Sequence, residues 1–107
     1  MRIAIAAMTR DENAKISRRG ARADCYLVYD ETGALSDVIE NPFKDYDRAV
    51  GVRVADYLAD KAVDIVAAAN LGTGFTKALD AKGLRHVESE GVIREVAKEL
   101  GSRFGTA

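Results

Sequence analysis

Five basic side chains crowd one short stretch of this sequence. Arg10, Lys15, Arg18, Arg19 and Arg22 fall among only three acids, Asp11, Glu12 and Asp24, in a chain whose formal net charge is -1. Within that stretch, Arg18-Arg19-Gly20-Ala21-Arg22 sets adjacent guanidinium forks beside a glycine, a pattern that can wrap an oxyanion. A solvated, salt-bridged face is the plainer reading of the same residues. There is little aromatic interleaving, which argues against a stacking platform for nucleic acid. A second stretch, Asn70-Leu71-Gly72-Thr73-Gly74, follows an apolar run at 65–69 and precedes a helix-like segment. A glycine turn there puts backbone N–H groups where an anion could sit, with the Thr73 hydroxyl and the helix N-terminus assisting and Asn70 orienting loop or ligand. The third glycine of a dinucleotide fingerprint would fall at Lys77, and no Gly-Lys-Ser/Thr follows, so neither that fingerprint nor a P-loop is present. A tight strand-to-helix turn is the competing reading.

Soft ligands are few. Cys25 opens an apolar strand and reads first as a small buried hydrophobe. Were it to face the arginine loop, a lowered pKa and a single thiolate ligand would follow. His86 is the only histidine, and Met8 ends the first strand, at the mouth of the loop. These three are the candidate metal ligands. No Ser-His-Asp or Cys-His arrangement is evident. Asp56 and Asp60 are four apart on the polar part of a helix, a spacing typical of solvated acids. The residues point to binding, not to catalysis.

The elements that must position these groups can be read from apolar patterning. Residues 3–8 form a continuous apolar run, as in a central parallel strand covered on both faces. Residues 9–24 are polar and aperiodic, a loop long enough to suggest function. Cys25–Tyr29 is a second strand. Residues 31–34 turn the chain, and Leu35–Glu40 returns as a third, edge-like strand that Pro42 ends. A helix at 47–60 carries Val50, Val54, Tyr57 and Leu58 on one stripe, with Asp45 or Asp47 as its cap. A fourth strand at 63–68 is followed by a helix starting at Thr73 or Thr76 and ending at Gly83. A fifth strand spans 84–87. A last helix carries Val92, Val96 and Leu100 and stops at Gly101. Residues 1–101 read as one α/β domain and 102–107 as a flexible tail. The order β-β-β-α-β-α-β-α allows a five-stranded mixed sheet with helices on both faces. With strands one and four adjacent, both candidate loops leave side by side at a switch point.

Bulk properties agree. The chain has 107 residues, 48% of them hydrophobic, enough for a core. A near-neutral charge gives no sign of general nucleic-acid or membrane-surface binding. A single cysteine excludes an internal disulfide and any multi-cysteine zinc or iron–sulfur motif from one chain. The first apolar run is too short for a signal-peptide core or a membrane span, and the expected location is the cytoplasm.

The order of these segments resembles the dinitrogenase iron–molybdenum cofactor biosynthesis family, the nitrogenase accessory factor-like group. The markers are Met1-Arg2-Ile3-Ala4-Ile5-Ala6, the run from Ala21-Arg22-Ala23-Asp24-Cys25 to Asp30, Ile39-Glu40-Asn41-Pro42, the helix led by Gly51, Val63-Asp64-Ile65-Val66, Asn70-Leu71-Gly72 and Gly83-Leu84-Arg85. The resemblance covers nearly the whole chain. It implies a three-layer α/β/α ribonuclease H-like fold without nuclease chemistry. It also implies non-catalytic binding, carriage or insertion of an iron–sulfur-type metallocofactor or its precursor, or binding of the receiving apo-protein. The family's loop reads approximately Ser-x-His-Phe-Gly-Arg-Ala. Ser17, Arg22 and Ala23 match it, while Arg19, Gly20 and Ala21 stand at the histidine, phenylalanine and glycine positions. The imidazole that the resemblance places against a cluster is therefore replaced by a guanidinium, which pairs with an anion but does not ligate iron.

The expected site thus comprises Arg18, Arg19 and Arg22, which neutralise an anionic cargo, with Asn70, Gly72, Thr73 and Gly74 as donors and Cys25, His86 and Met8 as soft ligands. A homodimer would supply a second copy of each. Two rival readings use the same residues: a module for a phosphate-bearing small molecule, and an interaction domain docking an acidic partner through the basic loop.

Overall fold

Strand β1 (Ile3–Ala7) is buried along its whole length, which places it inside the sheet with both faces covered. The computed structural model describes residues 1–105. β1 pairs antiparallel with β2 (Cys25–Tyr29), from Ile3 opposite Tyr29 to Ala7 opposite Cys25. β2 pairs antiparallel with the edge strand β3 (Leu35–Glu40). On its other side β1 runs parallel to β4 (Ile65–Ala68), and β4 runs parallel to the second edge strand β5 (Arg85–Glu88). The five-stranded order is β3-β2-β1-β4-β5.

Alternation along each strand divides the core in two. Ala4, Ala6, Tyr26, Val28, Val66 and Ala68 face helices α1 (Val50–Asp60) and α2 (Thr73–Ala81). Ile3, Ile5, Leu27, Tyr29, Ile65 and Ala67 face helix α3 (Ile93–Phe104). The result is a three-layer, ribonuclease H-like α/β/α sandwich with a mixed sheet. The two helices of one layer approach closely at Gly51, where a Cβ would lie 3.1 Å from the Phe75 Cα.

Several boundaries differ from the sequence expectation. β1 stops at Ala7, leaving Met8 exposed. α1 starts at Val50, and neither Asp45 nor Asp47 caps it. Its N-cap is Ala49, in the left-handed region at φ 59°. The residues before it follow Asn41 and Phe43 in a separate turn, with the Tyr46 N–H donating to the Phe43 carbonyl at 3.0 Å. β4 starts at Ile65, later than the expected span but with the expected end, and β5 is shifted one residue toward the C-terminus. α3 runs through Gly101 to Phe104, so helix occupies 102–104 where a tail is expected. Gly101 is not a stop signal. A side chain there would collide with the Glu31 carbonyl, so the glycine lets α3 pass under the β2–β3 turn. Residues 106 and 107 of the expected tail lie outside the described residues.

Candidate cofactor-binding site

β1 and β4 run side by side in the same direction, so the segments that leave them emerge together. Ser17 joins those segments. It is 1% exposed. Its N–H donates to the Ala6 carbonyl at 2.9 Å, and its own carbonyl accepts the Ala69 N–H at 2.9 Å. The Ser17 Oγ accepts the Arg19 N–H at 3.0 Å, a local turn that presents Arg18 and Arg19 outward. Gly20 then seats directly on the other loop. A Cβ there would lie 3.1 Å from the Asn70 carbonyl oxygen, the Leu71 Cδ2 and the Phe75 Cδ2. From beneath, the Tyr26 hydroxyl donates to the Gly20 carbonyl. Burial pushes the Tyr26 phenol well up, so it stays a donor.

The far end of the arginine segment is held by Asn41. Its buried side-chain amide donates to the Ala21 and Ala23 carbonyls at 2.9 and 2.8 Å, and its oxygen accepts the Phe43 N–H at 3.0 Å. Arg22 lies between those two carbonyls in sequence, and its guanidinium donates to the Lys44 carbonyl at 2.7 Å. The two loops enclose an open cleft of about 470 Å3, lined by Arg18, Arg19, Arg22, Asn70, Leu71 and Gly72. The structure thus gathers the arginines and the glycine turn that the sequence marks.

Two helix N-termini add to the positive potential. α2 begins after Gly72, which sits at φ 77°, and no side chain caps it. The first-turn N–H groups at Thr73 and Gly74 are therefore left to solvent or ligand. α1 is likewise uncapped, and its first turn shares an adjoining depression with Arg22 and Gly74. Each such terminus carries roughly half a positive charge. Arg19 pairs with no acid among the described residues, and Arg18 meets Glu90 only at 3.9 Å with both side chains exposed, a contact worth little. Two nearby acids have fixed roles: the Glu88 carboxylate accepts the Leu71 N–H at 3.0 Å and braces the loop, and Asp24, which borders a depression with Arg19 and Arg22, pairs with Lys44 at 2.6 Å.

The soft groups do not converge. Cys25 is buried in the α3-facing core, its Sγ 3.6 Å from the Thr9 carbonyl. Burial first, then the Glu40 carboxylate, pushes its thiol above the ordinary range, opposite to the activated thiolate the loop could have produced. His86 lies on β5, with Nε2 2.8 Å from Asp80 Oδ1. Three strand spacings separate β2 from β5, roughly 14 Å, so Cys25 and His86 do not share a metal. Met8 is the exception. It is 59% exposed and borders a depression with Arg19 and Arg22. Among the described residues no three His, Cys, Asp or Glu side chains gather as a metal site.

Comparison with known proteins shows the family. The family model described as dinitrogenase iron-molybdenum cofactor matches residues 1–103. The chain belongs to this family. It is a family of non-catalytic cofactor carriers. Among solved structures, the apo form of the orange protein from Desulfovibrio gigas superposes with a TM-score of 0.84 at 22% identity, covering 92% of this chain and 85% of that one. That likeness shows the fold. A putative NifB protein from Thermotoga, solved by NMR, gives a TM-score of 0.76 at 29% identity, covering 96% of this chain and 88% of its own. No curated protein matches the chain. No helix of the described residues is long and apolar enough to cross a membrane.

Ser17 and Asn41 are the functional supports that the sequence alone does not reveal. Both sit in segments quoted for the family resemblance, yet their work is done through backbone partners in other segments. The one local signal is type: Ser and Asn are residues whose side chains tie down loop backbone.

Proposed function

We propose that this protein carries an anionic iron–sulfur-type metallocofactor or its precursor in the cleft at the ends of β1 and β4. One observation carries this reading: three arginines and the start of the uncapped helix α2 meet at an open cleft, the uncapped α1 N-terminus lies in the adjoining depression beside Arg22, and among the described residues no set of metal ligands gathers there. Such a site holds cargo by charge and hydrogen bonds, not by iron–protein bonds. A carrier needs that property, because cargo held this way can be released to an apo-protein without breaking ligation. Arg18, Arg19 and Arg22 neutralise the cargo. Asn70, Gly72, Thr73 and Gly74 supply donors. Met8 brings a thioether to the rim. Cys25 and His86 serve the fold.

The test is anaerobic titration with an iron–sulfur cluster donor, read by visible absorption and iron content. The wild-type protein takes up a stoichiometric chromophore. Arg19→Ala weakens uptake about tenfold, as expected for one charge-assisted contact, and Cys25→Ala leaves it unchanged. Wild-type protein that retains no iron overturns the proposal. The uncapped α2 N-terminus supports a second reading, a phosphate-bearing small molecule. Thermal stabilisation by nucleotides or phosphometabolites, without any by a cluster, selects that reading instead.

A further inference from the structure

Arg22 is the meeting point of three shallow depressions. One is the main cleft. The second holds Met8 and Arg19, and the third holds Val52 and Gly51 at the start of α1. The second and third share no residue but Arg22, so Met8 and Val52 each border a different depression that Arg22 lines. Both are exposed, at 59% and 53%, and they are two of the few large apolar side chains the fold leaves in solvent. The main cleft is open and covers only one side of a compact ligand. A polyanion seated there would keep much of its charge facing outward.

Resting on the carriage reading above, we propose that the cargo is held between two copies of this chain and that the cargo itself drives their pairing. Without cargo, two such faces present Arg18, Arg19 and Arg22 to one another and repel. A polyanion between them reverses the sign of the contact and brings a second set of guanidinium donors to its uncovered side. A two-fold axis through the cargo, set across the line from Met8 to Val52, puts Met8 of one copy against Val52 of the other, and isology makes the contact reciprocal. The exposed apolar pair then has an occupant.

Other faces are poorly suited to this pairing. The β3 edge is blunted: the Asp37 carboxylate accepts the Val38 N–H at 2.8 Å and pairs with Arg2, which places charge on the strand that would have to add a neighbour. Beside β5, Glu88, Glu90, Glu95 and Glu99 outnumber Arg103 in the lining of a groove, a net negative face that repels its own copy.

The experiment is anaerobic sedimentation velocity with a synthetic thiolate-capped cubane iron–sulfur dianion as the probe. Iron is measured in each boundary. The apo chain sediments as a monomer, and the loaded chain as a dimer with one cluster for two chains. Val52→Lys keeps the attraction for an anion but sets a charge against the partner's apolar rim. It binds the cluster and stays monomeric. A loaded wild-type monomer with one cluster per chain overturns the shared site and leaves carriage standing. A dimer already formed without cargo overturns cargo-driven assembly. A Val52→Lys variant that dimerises like the wild type overturns the assigned face. Wild-type protein that takes up no cluster overturns carriage itself, and the shared site with it.

Discussion

The Ser17 carbonyl accepts the Ala69 N–H at 2.9 Å, and that bond locks the arginine loop to the strand that leads into the glycine turn. The two halves of the cleft are distant in sequence. They are held at a fixed distance because Ser17 also donates to Ala6 in β1. The loop's other half is equally tied. The Glu12 and Ala14 carbonyls accept the Arg94 and Ile93 N–H groups at the start of α3, and Glu12 accepts the Tyr29 hydroxyl at 3.0 Å. A long loop fastened at this many points is preorganised, so cargo binding does not have to order it.

Ser17→Ala tests this. The substitution keeps both backbone bonds and removes the hydroxyl that accepts the Arg19 N–H and donates to the Arg19 carbonyl. Loss of these two part-buried hydrogen bonds costs about 1–2 kcal/mol, seen as a lower urea midpoint with an unchanged slope. Cluster uptake weakens as well, because Arg18 and Arg19 lose their presentation. A variant with wild-type stability and uptake would show that the backbone alone shapes the turn.

Gly101→Ala sets two effects against each other. Alanine is the better helix former by about 1 kcal/mol. The new methyl would collide with the Glu31 carbonyl, and forced overpacking costs about 1–3 kcal/mol. A backbone carbonyl in a tight turn has little room to yield, so the clash wins. The variant is net destabilised, with a lower Tm by differential scanning calorimetry. A higher Tm would mean that α3 can move off the turn without cost.

Much of this fold is legible because apolar patterning is local. The buried runs in β1, β2 and β4 announce themselves, and the bounds of β2 and β3 agree residue for residue with the expectation. The start of α1 is not legible, since Asp45 and Asp47 have the chemistry of caps but lie in a turn that follows Asn41. The end of α3 is misread for the same kind of reason. Gly101 looks like a terminator until the Glu31 carbonyl is known to lie against it. In the site, the arginines and the Gly72 turn are visible as clusters of type. Ser17 and Asn41 are not, because their partners lie in segments that only folding brings near. Cys25 is legible in its plainer reading, since a lone cysteine in an apolar strand is a small hydrophobe and the structure buries it in the core.

Acid stability is set in part at the β2–β3 turn. The Asp30 carboxylate accepts the Thr32 hydroxyl and the Thr32 and Ala34 N–H groups. Its bond to the Thr32 hydroxyl, then that to the Ala34 N–H, holds its pKa below the ordinary aspartate value. A native pKa below the unfolded one means stability that is fully present above about pH 4, the unfolded aspartate value. That stability is lost as pH falls from there through the native value. Asp37 contributes in the same direction through its bond to Arg2. Asp30→Ala is therefore less stable than wild type at neutral pH, and the two converge in acid. Urea midpoints measured from pH 6 down to about pH 3 decide it; a constant gap across that range would mean the ionised carboxylate is not what the turn uses.

Arg19→His separates holding by charge from holding by ligation. A guanidinium cannot give an electron pair to iron, whereas a neutral imidazole can. With Arg19, retention of a cluster rests on exposed charges and falls steeply with salt, because the screening length shrinks from about 10 Å at 0.1 M to about 3 Å at 1 M. With an imidazole in its place, retention becomes resistant to salt and acquires a pH limit instead, falling away below about pH 6 as the ring protonates. Iron content after desalting at low and high salt, each at about pH 5.5 and about pH 7.5 to bracket the ordinary histidine pKa, reads both effects in one grid. If the wild type keeps its cluster at about 1 M salt, where screening is nearly complete, a ligand bond from the protein is already present, and Met8 is the first side chain to change.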